Sequence, residues 1–491
     1  MSALTFVPVI RGSGEPVYRQ IYDSVRTAIL DGSLAAGTQL PSTRALANDL
    51  GISRMTVVNA FDQLLAEGYL VGKAGSGTFV AAELPEEYLT APHQKRDGRG
   101  SLERHLPLSK YGDYLVRRQR SILDNEKASA PIPFQHGFSA IDEFPFGVWQ
   151  KISNKCNQVS IRKLLSQNGP LGFDPLRNAV AGHLRTARAV NCTSNEVVIT
   201  GGAQQGLDLI SRIMLNDGDQ VWMDEPGYLG ARDAFSGTGA KVQPVGRDAD
   251  GFDLDFAIRK YGAAKVIYTT PSHQFPVGGS MSINRRLELL EWAENNDAWI
   301  IEDDYDSEFR YEGRPLASMQ GLDRNGRVIY LGTFSKTIFS ALRLGCVVVP
   351  PDMVSLFEAA RLIMDGHSPL FEQAILAEFI SDGHFARHVR RMRKLYSERQ
   401  EILSHAAEKY LKGKVELEEA SSGMHLVGWL PEGASDVAFS LAAAERGVRV
   451  APLSDYSTKP LKRNGLLFGY AGFNEKQIVS AMKFIADVEI P

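Results

Sequence analysis

The sequence predicts a multidomain protein in which a small winged helix-turn-helix precedes a large α/β domain with a mostly parallel sheet. A chain of 491 residues is too long for one small domain. Its first eighty residues show three short helical patterns and two strand-like runs, whereas strand and helix patterns alternate from Pro131 onward. We therefore divide the chain into a domain at residues 1–81, a linker at 82–130 and a second domain at 131–491.

Composition limits the class of protein. The net charge is −4, so the whole chain is not a basic coat for nucleic acid, although one small module can still bind DNA. The three cysteines lie far apart and lack metal-ligand spacing, which favours a reducing compartment without disulfides or a metal site. No signal-peptide pattern and no apolar run of membrane-spanning length is present. These features favour a cytoplasmic protein with no membrane partner.

Three helices account for most of the first domain. Apolar residues at four-residue spacing predict a helix over residues 16–30. Two shorter helices follow, at 44–50 and 54–67, and Ser53 is placed to cap the second of them. Because Gly51 supplies a tight turn between them, these two helices have the helix-turn-helix pattern.

Two strand-like runs at 68–71 and 77–80 predict a hairpin that would form the wing. In a helix-turn-helix, the start of the second helix faces base edges in the major groove, and flanking residues contact phosphates or the minor groove. The predicted DNA-binding residues are therefore Arg44, Arg54, Thr56, Asn59, Lys73, Gly75 and Gly77.

The charge of the first domain keeps a second interpretation open. Residues 1–80 carry six basic and six acidic side chains. Phosphate neutralisation supplies most non-specific DNA affinity, so one neutral domain would bind weakly and we expect a dimer. The alternative is a small helical bundle used for protein contacts.

This first domain resembles the GntR-type winged helix closely. The resemblance rests on Leu40-Pro-Ser-Thr-Arg44, Ser53-Arg-Met-Thr-Val-Val58, Leu65-Ala-Glu-Gly-Tyr69 and Gly75-Ser-Gly-Thr-Phe-Val80. It implies a DNA-binding module whose partner is double-stranded operator DNA.

The linker differs in composition from both domains. Residues 93–127 hold nine lysines and arginines against five acids, and residues 109–124 fit one helix. One interpretation is a solvated tether that permits relative motion of the domains. The other is a basic segment that contacts DNA or a partner subunit.

The large domain carries chemically active residues where its predicted strands end. Ligands bind beyond the carboxyl ends of strands in such sheets. Predicted strands lie at 196–200, 220–224, 265–269, 298–302, 328–331 and 346–349. The first five are followed by a glycine-rich turn that opens a helix, by Tyr228, by His273, by Asp303 with Tyr305, and by Lys336.

The loop around Lys336 favours one chemistry. Thr333 and Ser335 flank the lysine, and Arg343 follows before the next apolar run. A lysine amine in such a loop can form a Schiff base with an aldehyde cofactor, while hydroxyls and a guanidinium hold the cofactor's phosphate. The alternative is a solvated surface lysine. That alternative is disfavoured because the four other strand ends also carry chemically active residues.

The large domain resembles a fold-type I aminotransferase that uses pyridoxal 5′-phosphate, and the whole chain resembles the MocR subgroup of GntR regulators. The resemblance rests on residues 170–177, 225–228, 270–276, 302–311 and 334–337. It implies a smaller C-terminal α+β subdomain and a head-to-tail homodimer.

The same resemblance implies a role for each site residue. Lys336 would carry the Schiff base, Asp303 would pair with the protonated ring nitrogen, and Tyr305 would bind the ring's phenolic oxygen. Tyr228 would stack on the ring. His273 stands where the family commonly has an asparagine. The phosphate ligands would be Gly202, Ala203, Gln204, Thr333, Ser335 and Arg343.

One departure bears on activity. Aminotransferases commonly bind the substrate α-carboxylate with an arginine in a late strand, but the matching run at 465–471 contains leucine. Arg232, Arg449 and Arg463 are the candidates to replace it.

The resemblance implies a transcription regulator that senses an amine, an amino acid or pyridoxal phosphate itself. One alternative is an active aminotransferase with an accessory DNA-binding module. The other is a DNA-binding protein with an empty aminotransferase scaffold. A regulator that uses this domain for sensing could still carry out half-transamination.

Overall fold

The computed structural model describes residues 10, 14–73, 75–84, 107–123, 131–159, 169–311, 313 and 316–489. Residues 1–106 and 107–491 form two compact units. Predictions for residues 85–106 and 124–130 of the linker lie outside the described residues. Within the described ranges, no helix is both long and apolar enough to cross a membrane.

The N-terminal unit is the predicted winged helix-turn-helix. Its helices are α1 (Val17–Leu30), α2 (Thr43–Leu50) and α3 (Arg54–Ala66), and its wing pairs β1 (Leu70–Lys73) antiparallel with β2 (Gly77–Val80). The Ser53 hydroxyl accepts a hydrogen bond from the Met55 amide at 3.3 Å and caps α3. Gly51 ends α2 in the left-handed region at φ +63°. The core between the helices contains Ile21, Val25, Val57, Phe61 and Leu64.

The C-terminal unit is built on a seven-stranded sheet. Its strands are β3 (Val197–Thr200), β4 (Gln220–Asp224), β5 (Lys241–Val245), β8 (Val266–Thr269), β9 (Trp299–Asp304), β10 (Val328–Thr333) and β11 (Gly345–Val348). They lie in the order β3-β11-β10-β9-β8-β4-β5. Six strands run in one direction and β11 runs against them, which confirms a mostly parallel sheet. A separate hairpin pairs β6 (Arg247–Asp248) with β7 (Gly251–Phe252).

Helices connect most of these strands. Side chains of the central strands are buried on both faces, as the near-continuous apolar runs of a covered sheet require. The helices before and within this sheet region are α4 (Lys110–Leu123), α5 (Phe146–Val159), α6 (Asp174–Arg188), α7 (Ala203–Met214), α8 (Leu229–Gly237), α9 (Leu254–Tyr261), α10 (Ile283–Asn295) and α11 (Met319–Leu322).

A second sheet of four antiparallel strands, β12-β13-β15-β14, forms the smaller C-terminal part. Its core packs against α14 and α16 through Tyr396, Leu403, Phe468, Ile478 and Met482. The remaining elements are α12 (Val354–Met364), α13 (Leu370–Ser381), α14 (His384–Tyr410), β12 (Glu416–Leu417), β13 (His425–Trp429), α15 (Asp436–Glu445), β14 (Ala451–Pro452), β15 (Gly465–Gly469) and α16 (Glu475–Ile485).

Helix α4, which lies in the predicted linker, contacts the rest of the large unit. The Arg118 guanidinium donates from Nε and Nη2 to the two carboxylate oxygens of Asp233 on α8, at 3.1 and 3.0 Å. The Tyr114 hydroxyl donates to Asp233 Oδ1 at 2.5 Å. Lys110 and Asp217 form a second pair at 3.3 Å, but both side chains are exposed. Of these two ion pairs, the half-buried one of Asp233 therefore contributes more to holding the helix.

We predict that Asp233→Ala loosens α4 without unfolding the sheet. Loss of a half-buried bidentate pair costs about 1–3 kcal/mol, so amide hydrogen exchange in residues 110–123 should accelerate about 5- to 150-fold. Asp217→Ala is the matched control, because an exposed ion pair contributes little. Equal acceleration in both variants, or in neither, would contradict this assignment.

Candidate functional site

One cavity lies where the carboxyl ends of the parallel strands meet. Strands β8, β9 and β10 end beside each other, so the loops that follow them converge on one edge of the sheet. The cavity is lined by His136, Gly137, Ala203, Gln204, Tyr228, Tyr268, Thr270, Phe275, Asp303, Tyr305, Thr333, Ser335, Lys336, Arg343, Met424 and His425.

Lys336 follows β10 and reaches into this cavity. Its side chain is half-buried, and Nζ donates a hydrogen bond to the Gly137 carbonyl at 3.1 Å. Burial lowers the pKa of the Lys336 amine, while the charges of Asp306 and Asp303 act in the opposite direction. A lowered pKa favours the neutral amine, which is the nucleophilic form.

Asp303 contributes a carboxylate with one unused oxygen. The group is 5% exposed, and Oδ2 accepts a hydrogen bond from the Tyr268 hydroxyl at 2.6 Å. Oδ1 is buried and has no hydrogen-bond partner among the described residues. Burial raises the pKa of this carboxyl to about 7. A buried acceptor without a donor is costly, so the site suits a ligand that brings a cationic N–H group.

Small residues and Arg343 form a cradle at the start of α7. Gly202 has φ +98°, and a Cβ there would lie 3.5 Å from the Arg343 guanidinium. Arg343 itself has φ +50°, a region that non-glycine residues rarely adopt. The Ser335 hydroxyl is buried and unpartnered within the described part of the chain. Helix N-terminal amides, a hydroxyl and a guanidinium together suit a phosphate.

The aromatic residues divide between the cavity and its support. Tyr228 lines the cavity, and its hydroxyl lies 3.2 Å from Gln204 Oε1. Tyr305 also lines it, and its hydroxyl lies 2.9 Å from His273 Nδ1. His273 is buried behind Tyr305, with Asp306 Oδ2 also 2.9 Å from Nδ1.

Two members of the predicted ligand set lie outside this lining. His273 lies behind Tyr305, with Nδ1 2.9 Å from the Tyr305 hydroxyl and from Asp306 Oδ2. Gly202 does not line the cavity either; it provides the close approach for Arg343. The other nine predicted cavity residues, Lys336, Asp303, Tyr305, Tyr228, Ala203, Gln204, Thr333, Ser335 and Arg343, are brought together.

Several lining residues were absent from the sequence prediction. Met424 and His425 come from the second sheet, and His136 with Gly137 from the segment before α5. Their neighbours in sequence show no local pattern that points to a site. Phe275 lies within the run 270–276 that carries the resemblance, which is the one signal that could have indicated it.

The imidazoles of the cavity are uncharged at neutral pH. Burial is the main cause that lowers the pKa of His136 to about 4, and the Lys336 charge adds to it. Burial, with His273 and His136, lowers the pKa of His425 to about 3. His425 Nε2 lies 2.9 Å from the Pro276 carbonyl, so this nitrogen carries the hydrogen of the neutral ring.

None of the three arginines that were candidates to bind a carboxylate lines the cavity. Arg232 donates to Glu225 at 2.8 Å, and Arg463 donates to Glu416 at 2.7 Å. The Arg449 amide bonds to the Pro133 carbonyl. In the late strand β15, Leu467 is fully buried in an apolar cluster.

All predicted DNA-binding residues except Thr56 are exposed. Arg54 and Asn59 are exposed in the first turns of α3, and Thr56 is half-buried between them. Arg44 is exposed near the start of α2. In the wing, Lys73, Gly75 and Gly77 are exposed, and Lys73 Nζ lies 5.1 Å from the Phe79 ring centre. The structure therefore leaves the polar groups of α3 and the wing available to a partner.

The fold and the cavity define an aminotransferase-like protein that carries an N-terminal winged helix. Residues 142–485 match the family model for aminotransferase class I and II, and residues 17–80 match that for bacterial regulatory proteins of the gntR family. The chain belongs to the MocR subgroup of this gntR family.

Two curated relatives match nearly end to end. The probable rhizopine catabolism regulatory protein MocR of Rhizobium meliloti is 41% identical over 471 residues, which are 95% of this chain and 92% of MocR. The pyridoxine biosynthesis transcriptional regulator PdxR of Corynebacterium glutamicum is 30% identical, with 99% of each chain covered.

A solved structure shows the same large domain. Kynurenine aminotransferase of Pyrococcus horikoshii, in complex with PMP, matches with a TM-score of 0.71 and 29% identity, over 79% of this chain and 97% of the enzyme.

We predict that Asp303→Asn changes how stability depends on pH. The folded cofactor-free protein holds a proton on Asp303 up to about pH 7, whereas the unfolded chain releases it near 3.8. The Asp303 carboxyl therefore makes the free energy of unfolding fall as pH rises between these values, by up to about 4 kcal/mol. Relative to the native chain, Asp303→Asn should gain stability between pH 5 and pH 8 in denaturant titrations. Asp255→Asn, at an exposed position, is the control; no pH-dependent difference in Asp303→Asn would refute the assignment.

Proposed function

We propose that this protein is a DNA-binding transcription regulator whose large domain holds pyridoxal 5′-phosphate and responds to a small amine or amino acid. The observation that carries the proposal is the unpartnered Oδ1 of buried Asp303 in the same cavity as Lys336. The names of MocR and PdxR support a role in regulation, and the PMP complex of the Pyrococcus enzyme supports the cofactor.

The residues present fit this cofactor. When bound, pyridoxal phosphate would supply an aldehyde that is electrophilic toward primary amines. Lys336 would be the nucleophilic amine of this chain, Asp303 would accept from a protonated ring nitrogen, and Tyr305 would donate to the phenolic oxygen. Tyr228 would pack on the ring. The phosphate would be held by Ala203, Gln204, Thr333, Ser335 and Arg343, with Gly202 making room for Arg343.

His273 acts through Tyr305 in this proposal. Its Nδ1 lies 2.9 Å from the Tyr305 hydroxyl and from Asp306, so it fixes the orientation of that hydroxyl. The histidine therefore positions a cofactor ligand and is not itself one.

The N-terminal unit supplies the DNA contacts. Arg54, Thr56 and Asn59 read base edges from the start of α3, and Arg44 and Lys73 contact phosphates or the minor groove. Gly75 and Gly77 keep the wing turn close to the DNA. A head-to-tail homodimer would double these contacts, which a unit with no net charge needs for affinity.

A second candidate function is aminotransferase turnover. It is favoured by the joint presence of Lys336, Asp303 and Tyr305 in the cavity. Transfer of amino groups from amino acids to a keto acid at ordinary enzyme rates would favour it over sensing alone.

We predict that added pyridoxal phosphate gives the protein an absorption band near the edge of the visible range. Borohydride reduction should then leave the cofactor on the Lys336 peptide, as read by mass spectrometry. Lys336→Ala should lose both signals, because no other lysine lines the cavity among the described residues. Lys241→Ala, an exposed lysine, should keep them. A protein that binds no cofactor at all would sink the proposal.

We predict that Arg54→Ala weakens binding to a DNA site selected by this protein about 5- to 150-fold, because a side chain that contacts base edges contributes about 1–3 kcal/mol. Fluorescence anisotropy measures the change. Arg19→Ala removes the same charge from an exposed position on α1 and is the matched control. Equal losses in the two variants would mean that charge alone is measured and that α3 is not the recognition helix.

A further inference from the structure

The cavity is poor in positive charge. Among its described lining residues, only Lys336 and Arg343 have cationic side chains, since His136 and His425 are neutral. Lys336 is used for the Schiff base in the proposed function, and Arg343 stands beside Gly202 in the phosphate cradle. Neither cation is therefore left for a second anionic group on the effector.

Seven lining residues are not assigned to the cofactor: His136, Gly137, Tyr268, Thr270, Phe275, Met424 and His425. Tyr268 is taken up by its hydrogen bond to Asp303. We call His136, Phe275, Met424 and His425 the histidine wall. Its rings are in mutual contact: the Phe275 centroid lies 5.6 Å from that of His425 and 6.1 Å from that of His136. Met424 and His425 are 3% and 4% exposed. The wall is thus a packed surface of aromatic, thioether and imidazole groups.

The polar atoms of the histidine wall are uncharged. His425 Nε2 is bound to the Pro276 carbonyl, so Nδ1 is the remaining nitrogen of that ring and is an acceptor. His136 Nε2 is 3.1 Å from the Tyr456 hydroxyl. Such a wall can accept a hydrogen bond from a neutral ligand group or donate one to it. It offers no positive charge to pair with an anionic ligand group.

Behind Phe275, the described residues form an apolar layer. Leu467 packs with Val427, Leu453 and Tyr456, and Phe275 packs against this cluster. An arginine at position 467 would have to enter this apolar contact. A carboxylate placed against the wall would therefore lose its hydration without gaining a cationic partner among the described lining residues, which is unfavourable.

We infer that the cavity selects primary amines that carry no carboxylate next to the amino group, and whose remaining part bears hydroxyl or aromatic groups. This inference rests on the proposed function, because the amine is taken to react at the cofactor. Hydroxyl groups match the neutral imidazoles, and aromatic groups match Phe275 and Met424.

Calorimetric titration of the protein loaded with pyridoxal phosphate tests the inference with matched pairs: 2-aminoethanol against serine, and 2-phenylethylamine against phenylalanine. At least one amine should bind ten times more tightly than its carboxylated counterpart, and neither amino acid should bind more tightly than its amine. Tighter binding of the amino acids would overturn the inference, as would the absence of binding by all four compounds, and both results would leave cofactor binding intact. Failure to load the cofactor would instead overturn the proposed function itself.

A gain-of-charge variant provides an independent readout. Met424→Arg replaces the thioether side chain with a long side chain that carries a guanidinium, and so adds a positive charge to the histidine wall. Met424→Leu is the volume-matched control without charge. Met424→Arg should shift the amine-to-amino-acid affinity ratio at least tenfold toward the amino acid, while Met424→Leu keeps the native ratio. An unchanged ratio in a Met424→Arg protein that retains the cofactor band would count against the inference. If that variant does not fold, the matched pairs on the native chain decide.

Discussion

The parallel pairing of β9 with β10 is the constraint on which the cavity depends. In this register Leu331 lies opposite Asp303, so the two strands end at the same edge of the sheet. The loop after β10 then brings Lys336 to the carboxylate of β9. The return strand β11 pairs antiparallel with β10, from Thr333 opposite Gly345, and this places Arg343 beside the start of α7. A slip of one residue would turn Asp303 to the other face of the sheet.

The acidic run of β9 shows how the strand period sorts its charges. Glu302 accepts from the amides of Met319 and Gln320 at 2.8 and 2.9 Å. Asp304 is paired with buried Arg188 at 2.7 Å and accepts from Tyr330. Asp303 alternates to the opposite face, where Tyr268 satisfies only one of its oxygens. Asp304 Oδ1 is likewise without a partner among the described residues, but of Glu302, Asp303 and Asp304 only Asp303 lines the cavity. Asp303 is therefore the member of the run that can meet a ligand there.

Sequence patterns predicted features whose signals lie within a few neighbouring residues. They missed features that arise only when distant segments pack together. Helices with caps, buried apolar strands and the loop residues around Lys336 all have signals within a few residues of themselves. Strand β5 was missed because its sequence, Lys-Val-Gln-Pro-Val, contains Pro244 and only partly buried residues instead of an apolar run. It is an edge strand, and edge strands tolerate proline. The reversal of β11 was missed because strand patterns carry no direction. The histidine wall was missed because Met424 and His136 reach the cavity only when the second sheet packs onto the first.

The position of α8 connects the cavity with the linker helix. Tyr228, which lines the cavity, is the residue immediately before α8, and Asp233 holds α4 from the same helix. Gly237 at the other end of α8 lies against Tyr111 of α4, which is a second contact between these two helices. The nine residues of α8 thus carry Tyr228 at one end and both contacts of α4 along their length. A ligand that shifts the backbone at Tyr228 therefore acts on the same short helix that holds the linker helix in place.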